Sequence, residues 1–291
     1  MITANGRVCG LFAYPIGHSL SPDMHNYFSD KLGMDEIYVP LQTAPENLGE
    51  AVKGAYAMNF LGMNVTIPHK QEVMNYLVDL DESAKLVGAV NTLVRTEGGY
   101  RGYNTDMYGL TRSIKERSVE LKDCEAVLLG AGGAAHAAVA MLVKEGAKKL
   151  YIINRSVDKA AALAERANEL AGREFAFALA TDEYQKIDGY GNDHHRYIFI
   201  QSTNIGMTPN TGHALIEDEK FYDLAHTAVE IIFNPAKTRY MELAEDAGAT
   251  TIGGLKMLLY QGVKAYELWN DLTIPDNIID GAYLMMENKL K

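Results

Sequence analysis

The stretch "AVLLGAGGAAHAAVAMLVKEGAKKLYIINR", residues 126–155, contains four successive segments that differ in composition. The apolar run "AVLL" is typical of a buried strand, and the turn "GAGGAA" of residues 130–135 follows it. The run "AAHAAVAMLV" is typical of a buried helix, and the apolar run "LYII" predicts another strand. Strand, glycine turn, helix and strand together predict one βαβ unit of a parallel sheet.

The glycine turn fits the pattern G-x-G-x-x-G/A with Gly130, Gly132 and Ala135. The pattern alone is weak, but its place between a strand and a helix is that of a dinucleotide-binding turn. Glycines let the backbone approach a pyrophosphate, and the helix N-terminus offers free N–H groups and the positive end of a dipole. We therefore predict a Rossmann-type domain whose dinucleotide contacts include Gly130, Ala131, Gly132, Gly133 and Ala134. The competing interpretation is a close-packed turn of small residues that binds nothing.

The tip of the second strand predicts which dinucleotide binds. An acidic side chain at this position would accept hydrogen bonds from the ribose of NAD and repel the extra phosphate of NADP. Here Asn154 is neutral, Arg155 can hold a phosphate through two N–H groups, and Ser156 adds a hydroxyl. Lys159 lies in the first turn of the next predicted helix and faces the same spot. These residues favour NADP, unless they form a solvated basic turn or pair with Asp158.

Strand-like and helix-like patterns alternate along the whole chain. Alternation of this kind predicts α/β folding with a mainly parallel sheet that is covered on both faces. A hairpin is predicted around "TEGGYRGYN", residues 96–104, and a long helix begins at about Asp106. We predict two α/β domains with a boundary near Asp106.

Composition restricts the class of protein. The chain has 291 residues, 47% of them hydrophobic, which is enough for two ordinary domains with packed cores. Its formal net charge of -11 argues against a nucleic-acid partner. Cys9 and Cys124 stand far apart, as expected of reduced thiols in the cytoplasm, and no stretch suggests a signal peptide or a membrane span. We expect a cytoplasmic protein with a small-molecule substrate.

Three stretches of the first domain place polar side chains beside apolar strands. Ser19 and Ser21 in "HSLSP" begin a predicted helix, which makes them either a cap or a site for a carboxylate. In "NVTIPHK", Thr66 lies on a strand and Lys70 is predicted in the first turn of a helix, where a cation opposes the dipole.

The third stretch supplies Asn91, Asn104 and Asp106 from "VNTLV" and "YNTD". Taken singly, each of these residues is explained as a cap or a solvated charge. His18, His25 and His69 lack the compact spacing of metal ligands, so no metal is predicted.

Taken together, the ordered motifs resemble the shikimate dehydrogenase family from end to end. The matching segments are "PIGHSLSP" (15–22), "NVTIPHK" (64–70), "LVGAVNTLV" (86–94), "GYNTD" (102–106), "GAGGAA" (130–135), "NRSVDK" (154–159) and "GGLKMLLYQG" (253–262). The resemblance implies reversible, NADPH-dependent reduction of 3-dehydroshikimate to shikimate in aromatic amino acid biosynthesis.

The resemblance also implies roles for individual residues. Lys70 and Asp106 match the family's catalytic lysine and aspartate, with Lys70 as the main proton shuttle. The substrate-binding positions are Ser19 and Ser21 for the carboxylate, and Thr66, Asn91 and Gln261 for the ring hydroxyls. The cofactor-binding positions add Ile231 and Gly254, near the nicotinamide, to Asn154, Arg155, Ser156 and Lys159.

The family fold assigns residues 1–105 and 256–291 to a substrate domain and residues 106–255 to the NADP-binding domain, with a cleft between them. Four positions depart from the family pattern: Met107 and Lys256 replace glycines, Phe233 replaces a tyrosine, and Glu230 stands where aspartate is frequent. Two other interpretations stay open, a quinate/shikimate dehydrogenase that uses NAD or NADP, and a catalytically silent regulator that binds shikimate-like ligands. Either a monomer or a homodimer is consistent with the sequence.

Overall fold

The computed structural model describes residues 2–17 and 19–291, so His18 lies outside the described residues. The chain forms two compact units. Unit 1 contains the described residues up to Gly109, with Leu259–Lys289 and Lys291, and unit 2 contains Leu110–Leu258 and Leu290. The two main crossings, after Gly109 and Leu258, each lie a few residues beyond the predicted positions after 105 and 255.

Unit 1 is built on a six-stranded sheet. Its strands are β1 (Arg7–Ala13), β2 (Glu36–Gln42), β3 (Gly62–Val65), β4 (Asp79–Leu80), β5 (Thr92–Thr96) and β6 (Gly99–Tyr103). Its helices are α1 (Ser21–Leu32), α2 (Leu48–Ala57), α3 (Glu82–Val87), α10 (Asp276–Lys289), the start of α4 (Asp106–Lys115) and most of α9 (Leu255–Asn270).

The strands of unit 1 lie in the order β2-β1-β3-β5-β6-β4. Strand β1 is parallel to both β2 and β3, and β4 is parallel to β6. The hairpin β5–β6 runs antiparallel, and β5 also pairs antiparallel with β3. The hairpin predicted from "TEGGYRGYN" is therefore confirmed, with Gly98 supplying the positive φ of +81° that its turn requires.

Helix α9 packs closely on the rest of unit 1. A Cβ atom on Gly262 would lie 1.9 Å from Met24 Cε of α1, and a Cβ atom on Gly62 of β3 would lie 2.1 Å from Trp269 Nε1. Trp269 Nε1 also donates to the backbone carbonyl of Leu93, at 2.9 Å. These contacts fix α9 against β3 and β5, and with it Gln261.

Unit 2 is a parallel sheet with the strand order of dinucleotide-binding folds. Its strands are β7 (Glu125–Leu129), β8 (Lys149–Ile153), β9 (Ala176–Leu179), β10 (Tyr197–Gln201), β11 (Ala225–Glu230) and β12 (Thr250–Ile252). Its helices include α5 (Gly133–Lys144), α6 (Val157–Ala171), α7 (Glu219–Tyr222) and α8 (Arg239–Asp246). The order β12-β11-β10-β7-β8-β9 is the doubly wound order 3-2-1-4-5-6 read from its far end, with the reversal between β7 and β10.

Two local predictions were wrong. The segment after Pro68 is not an α-helix: residues 68–71 form turns, and a 3-10 helix covers Glu72–Tyr76. Lys70 therefore lies in a turn and does not oppose a helix dipole. Ser21 is the first residue of α1 rather than its N-cap, which is Leu20. Gly33 ends the helix in the left-handed conformation.

Within residues 2–17 and 19–291, no helix combines the length and the apolar character that crossing a bilayer requires.

Candidate active site

Four polar segments of unit 1 meet at one edge of its sheet. Because β1 and β3 are parallel, the residues that follow them, from Tyr14 and from Thr66 onwards, leave the same edge. Strand β5 is antiparallel to β3, so it begins at that edge, next to Asn91. Strand β6 ends there and leads into residues 104–106. The topology thus brings together residues that lie far apart in the sequence.

Lys70 and Asp106 form an ion pair at this edge. Lys70 Nζ lies 2.6 Å from Asp106 Oδ2, and the two side chains are 21% and 12% exposed, so both reach solvent only in part. The other carboxylate oxygen of Asp106 accepts a hydrogen bond from Asn91 Nδ2 at 2.9 Å. Gln261 Oε1 lies 3.5 Å from both Asn91 Nδ2 and Thr105 Oγ1. A cation, a carboxylate and two amides therefore form one connected group.

The two serines lie in the segment that follows β1. Ser19 Oγ accepts a hydrogen bond from the backbone N–H of Ser21, at 3.2 Å, and Ser21 begins α1. Thr66 follows β3, and its backbone N–H donates to the carbonyl of Phe12 at the end of β1. Among the described residues, no hydrogen bond joins either serine or Thr66 to Lys70 directly. Two hydroxyls beside the N-terminus of α1 nevertheless provide donors suited to a carboxylate.

Unit 2 has a cavity of about 380 Å³ at the carboxyl edge of its sheet, where the strand order reverses. The lining comes from the turns after β7, β8 and β10, from the first turn of α6 and from one later residue: Gly130, Ala131, Gly132, Asn154, Arg155, Ser156, Lys159, Ser202, Thr203, Asn204, Ile205 and Leu215. Gly130 has a φ of +109°, and a Cβ atom there would lie 2.7 Å from Ser202 Oγ. Gly132 and Gly133 have no atom within 4 Å of such a Cβ, so a ligand can approach the backbone where α5 begins. The first N–H groups of a helix have no partner within it and suit an anion.

The polar groups of this cavity fit a dinucleotide with an extra phosphate. Arg155, Ser156 and Lys159 are all exposed at its rim, and Asn154 Nδ2 closes the turn by donating to the carbonyl of Ser156 at 2.9 Å. Over the part of the chain that the structure describes, neither Arg155 nor Lys159 forms an ion pair with Asp158. The two cations remain available for an anion at the tip of β8.

The remaining predicted cofactor residues fall into two groups. Gly133 and Ala134 open α5 directly after the lining residues. Ile231 and Gly254 follow β11 and β12 at the same edge of the sheet, away from the lining of this cavity. A Cβ atom on Gly254 would lie 2.2 Å from the carbonyl oxygen of Ile231, so only glycine permits this approach of the two backbones.

Several residues of the two groups escaped the sequence analysis. Ser202, Thr203 and Asn204 line the cavity, and the signal for them was a polar run directly after the buried strand "YIFIQ". Thr105 bonds both Asn91 and Gln261, but a threonine beside an aspartate carries no distinctive signal.

His25 and His69 both lie in buried surroundings within unit 1. His25 is wholly buried among aromatic rings, with its ring stacked on Tyr38 at 4.4 Å, and burial lowers its pKa to about 3. His69 Nε2 contacts the carbonyl of Thr43 at 2.8 Å. Outside Met1 and His18, no group of three or more His, Cys, Asp or Glu side chains is placed to hold a metal ion.

Comparison with known proteins identifies the family. Residues 11–93 match the family described as shikimate dehydrogenase substrate binding domain, and residues 112–184 match the family described as shikimate/quinate 5-dehydrogenase. An NADP(+) shikimate dehydrogenase of Methanothermobacter thermautotrophicus is 38% identical over 289 residues, which cover 99% of this chain and 100% of the relative. The chain belongs to the shikimate dehydrogenase family.

Solved structures agree with this family. A shikimate dehydrogenase crystallised in complex with NADP+ has a TM-score of 0.87 at 35% identity, covering 100% of this chain and 98% of that one. The shikimate 5-dehydrogenase of Listeria monocytogenes, in complex with shikimate and NAD, has a TM-score of 0.86 at 35% identity, covering 96% and 97%. The α/β fold with two units, inferred from the sequence, is confirmed.

Two departures from the shikimate dehydrogenase pattern have a structural explanation. Lys256 forms an ion pair with Glu116 inside unit 2, so its charge is matched within the protein. Met107 is buried, and its backbone N–H donates to Asn104 Oδ1 at 3.3 Å in the first turn of α4. Nothing in the structure explains why Phe233 replaces a tyrosine.

Proposed function

We propose that the protein is an NADP-dependent shikimate dehydrogenase that reversibly reduces 3-dehydroshikimate to shikimate in aromatic amino acid biosynthesis. The observation that carries the proposal is the Lys70–Asp106 ion pair, held by Asn91 at the edge of the unit 1 sheet. A cytoplasmic location and a monomeric or homodimeric state stay predictions.

Lys70 is the proton carrier in this proposal. Oxidation of a secondary alcohol removes a hydride from the carbinol carbon and a proton from its oxygen. A bound NADP+ would supply the hydride acceptor, and NADPH would supply the hydride in the reverse reaction. In the reducing direction the Lys70 ammonium donates its proton to the oxygen that was the ketone, and in the oxidising direction the Lys70 amine takes the proton back. Asp106 holds Nζ in position through Oδ2, which leaves the remaining N–H groups of Lys70 for the substrate.

The other residues of unit 1 would orient the substrate. Ser19 and Ser21 would donate to its carboxylate, in line with their place at the start of α1. Thr66, Asn91 and Gln261 would contact the ring hydroxyls, and the last two already share a hydrogen-bonded group with Asp106. A substrate that lacks the carboxylate would leave the serine pair without a partner.

The tip of β8 supports NADP as the cofactor. Arg155 and Lys159 place two exposed cations where an acidic residue would otherwise meet the ribose. The nearest alternative, a quinate/shikimate dehydrogenase that also uses NAD, is favoured by the relative that was crystallised with shikimate and NAD. A silent ligand-binding regulator has no need of the Lys70–Asp106 pair, which argues against it.

Initial rates of shikimate oxidation with NADP and with NAD, repeated with quinate, separate these functions. We expect a strong preference for NADP and for shikimate. Comparable rates with NAD or with quinate would favour the broader enzyme. An absence of turnover with every pair, alongside measurable binding of shikimate, would favour the silent regulator.

Replacing Lys70 tests the proposed proton transfer. Lys70→Met keeps the length of the side chain and removes its proton, so we expect kcat to fall by about 10²–10⁴-fold, the usual contribution of a general acid or base. The KM for NADP should stay within about twofold, because Lys70 belongs to unit 1. Lys53→Met, at an exposed position of α2, is the matched control and should keep wild-type rates. Near-normal turnover of Lys70→Met would refute the assignment.

A further inference from the structure

A buried chain of hydrogen bonds lies behind the proposed catalytic pair. It links Tyr38 of β2, Asn64 of β3 and Thr92 of β5 to Asn91, which in turn donates to Asp106. Thr92 has no exposed surface, so it cannot touch a substrate. The contacts among Tyr38, Asn64 and Thr92 are not explained by the catalytic and binding roles given above.

The orientation of the Asn64 amide is fixed by a backbone group. Asn64 Nδ2 donates to the main-chain carbonyl of Asn91 at 3.2 Å, and a carbonyl oxygen can only accept. Asn64 Oδ1 must therefore point the other way, where it accepts from the Tyr38 hydroxyl at 2.9 Å. Burial raises the pKa of Tyr38 well above its usual value, which keeps the hydroxyl proton in place as the donor.

This orientation decides what the Thr92 hydroxyl does. Asn64 Nδ2 donates its second hydrogen to Thr92 Oγ1 at 3.1 Å, so the proton of Thr92 must go elsewhere. The acceptors in reach are Asn91 Oδ1 at 3.1 Å and Thr105 Oγ1 at 3.3 Å. The shorter distance, and the stronger acceptor that an amide oxygen makes, favour donation from Thr92 to Asn91 Oδ1.

Asn91 is thus held with its amide in one orientation. Its Oδ1 accepts from Thr92 Oγ1 and from the backbone N–H of Thr105, at 2.8 Å. Its Nδ2 consequently faces Asp106 Oδ1, at 2.9 Å, and supports the ionised carboxylate. With the amide turned over, an oxygen would face that carboxylate and repel it.

We propose that Thr92 is a positioning residue for the acid/base pair. It is the third member of a buried relay in which each side chain donates a hydrogen bond to the next, from Tyr38 to Asn91. Thr92 fixes the orientation of the Asn91 amide, and Asn91 in turn positions Asp106 and therefore Lys70. The inference rests on the proposed function, because its effect is read in the proton transfer that Lys70 performs.

The test compares three variants of the full chain. Thr92→Val keeps the shape of the side chain and removes the hydroxyl, and we expect kcat for shikimate oxidation to fall about tenfold, the value of one hydrogen bond of about 1.4 kcal/mol. Thr92→Ser restores the hydroxyl and should recover most of the rate. Thr227→Val, another fully buried strand threonine but in unit 2, should leave kcat unchanged.

Three further readouts distinguish positioning from a general loss of structure. For Thr92→Val the KM for NADP should be unchanged, and the ratio of kcat in H2O to kcat in D2O should rise, because proton transfer becomes slower relative to the other steps. Tyr38→Phe removes only the first donor, so its loss of kcat should be smaller than that of Thr92→Val. All rates are compared well below the melting temperature of each variant.

Two results would overturn the proposal. One is a Thr92→Val protein with wild-type kcat and isotope ratio. The other is a Thr92→Ser protein as slow as Thr92→Val, which would mean that packing of the methyl group matters rather than the hydroxyl. If the wild-type chain turns over no substrate, the proposed function fails by itself. The relay is then judged from a crystal structure of Thr92→Val, in which Asn91 Nδ2 must have left Asp106.

Discussion

Glu230 ends strand β11 with its carboxylate almost wholly buried. Its Oε1 accepts from the backbone N–H of Ile232 at 2.9 Å, and its Oε2 accepts from Thr238 Oγ1 at 2.7 Å. Burial raises the pKa of Glu230 to about 8, although these hydrogen bonds favour the charged form. These hydrogen bonds therefore hold the chain after β11 against the start of α8, while burial disfavours ionisation of the Glu230 carboxyl group.

This shift makes stability depend on pH with a definite sign. Because the folded pKa of Glu230 lies above the unfolded value, its stabilising contribution is complete below pH ~4.5 and is lost as pH rises towards 8. Glu230→Gln is neutral throughout, so the free energy of unfolding of the wild type should fall relative to that variant by on the order of 2 kcal/mol between pH 6 and 9. Urea denaturation at both pH values measures the difference.

A matched control separates burial from the loss of a charge. Glu169→Gln removes the same charge from an exposed position of α6, and its difference from the wild type should not change between the two pH values. A Glu230→Gln curve that runs parallel to the wild type across this range would contradict the assignment.

At the level of single residues, sequence alone identifies polar side chains that directly follow apolar strands. Lys70, Asn91 and Asp106 stand out because polar groups follow apolar strands, and the structure joins them by hydrogen bonds. Thr92 and Asn64 could not be identified, because a polar residue inside a strand looks the same whether it faces water or a buried partner.

Among the secondary-structure elements, the placement of α9 offers a sharp test. Gly62→Ala would put a Cβ atom 2.1 Å from Trp269 Nε1 and 2.7 Å from the carbonyl oxygen of Leu93, breaking the bond between them. We expect a loss of about 2–4 kcal/mol in the free energy of unfolding, from overpacking and a lost hydrogen bond. Because Gln261 is carried on the same helix, the KM for shikimate should also rise.

The control is another glycine-to-alanine change in unit 1. Gly54 lies inside α2 with nothing within 4 Å of a new Cβ atom, so Gly54→Ala should stabilise by about 0.5–1 kcal/mol through helix propensity. Trp269 is the single tryptophan of the chain, and its fluorescence follows the unfolding of unit 1. Equal stabilities for the two variants would show that α9 tolerates displacement from β3.

Helices and strands with a strong pattern of apolar residues were predictable from the sequence, and short elements were not. The run from β7 through α5 to β8 follows the sequence closely, because apolar strands and an alanine-rich helix leave little choice. The segment of residues 68–76 was expected to be α-helical from Pro68 onwards. It forms turns and a short 3-10 helix instead. Only Val73 of Glu72–Tyr76 is buried, and one buried side chain does not provide enough packing to stabilise a longer helix.

For the whole molecule, the sequence indicates two α/β units but leaves the order of their strands open. In unit 1, β3 and β5 are adjacent in the sheet but about 30 residues apart in the sequence. Only the assembled sheet shows that Asn91, just before β5, lies at the edge where β3 ends. Strand order depends on which apolar surfaces pack against each other over long distances in the sequence, and local sequence patterns do not predict this packing. The same holds for β10, whose place beside β7 makes Ser202 part of the cavity.

The division into two units predicts that the two ligands stabilise the protein through separate residues. Shikimate is assigned to unit 1 and NADP to unit 2, and each at a hundredfold excess over its Kd should contribute about 2.7 kcal/mol, which raises Tm by several degrees. A variant carrying Arg155→Ala and Lys159→Ala should lose the NADP shift and keep that of shikimate. One carrying Ser19→Ala and Ser21→Ala should show the reverse. Calorimetry with each ligand alone measures both, and loss of both shifts in either variant would mean that the sites are not independent.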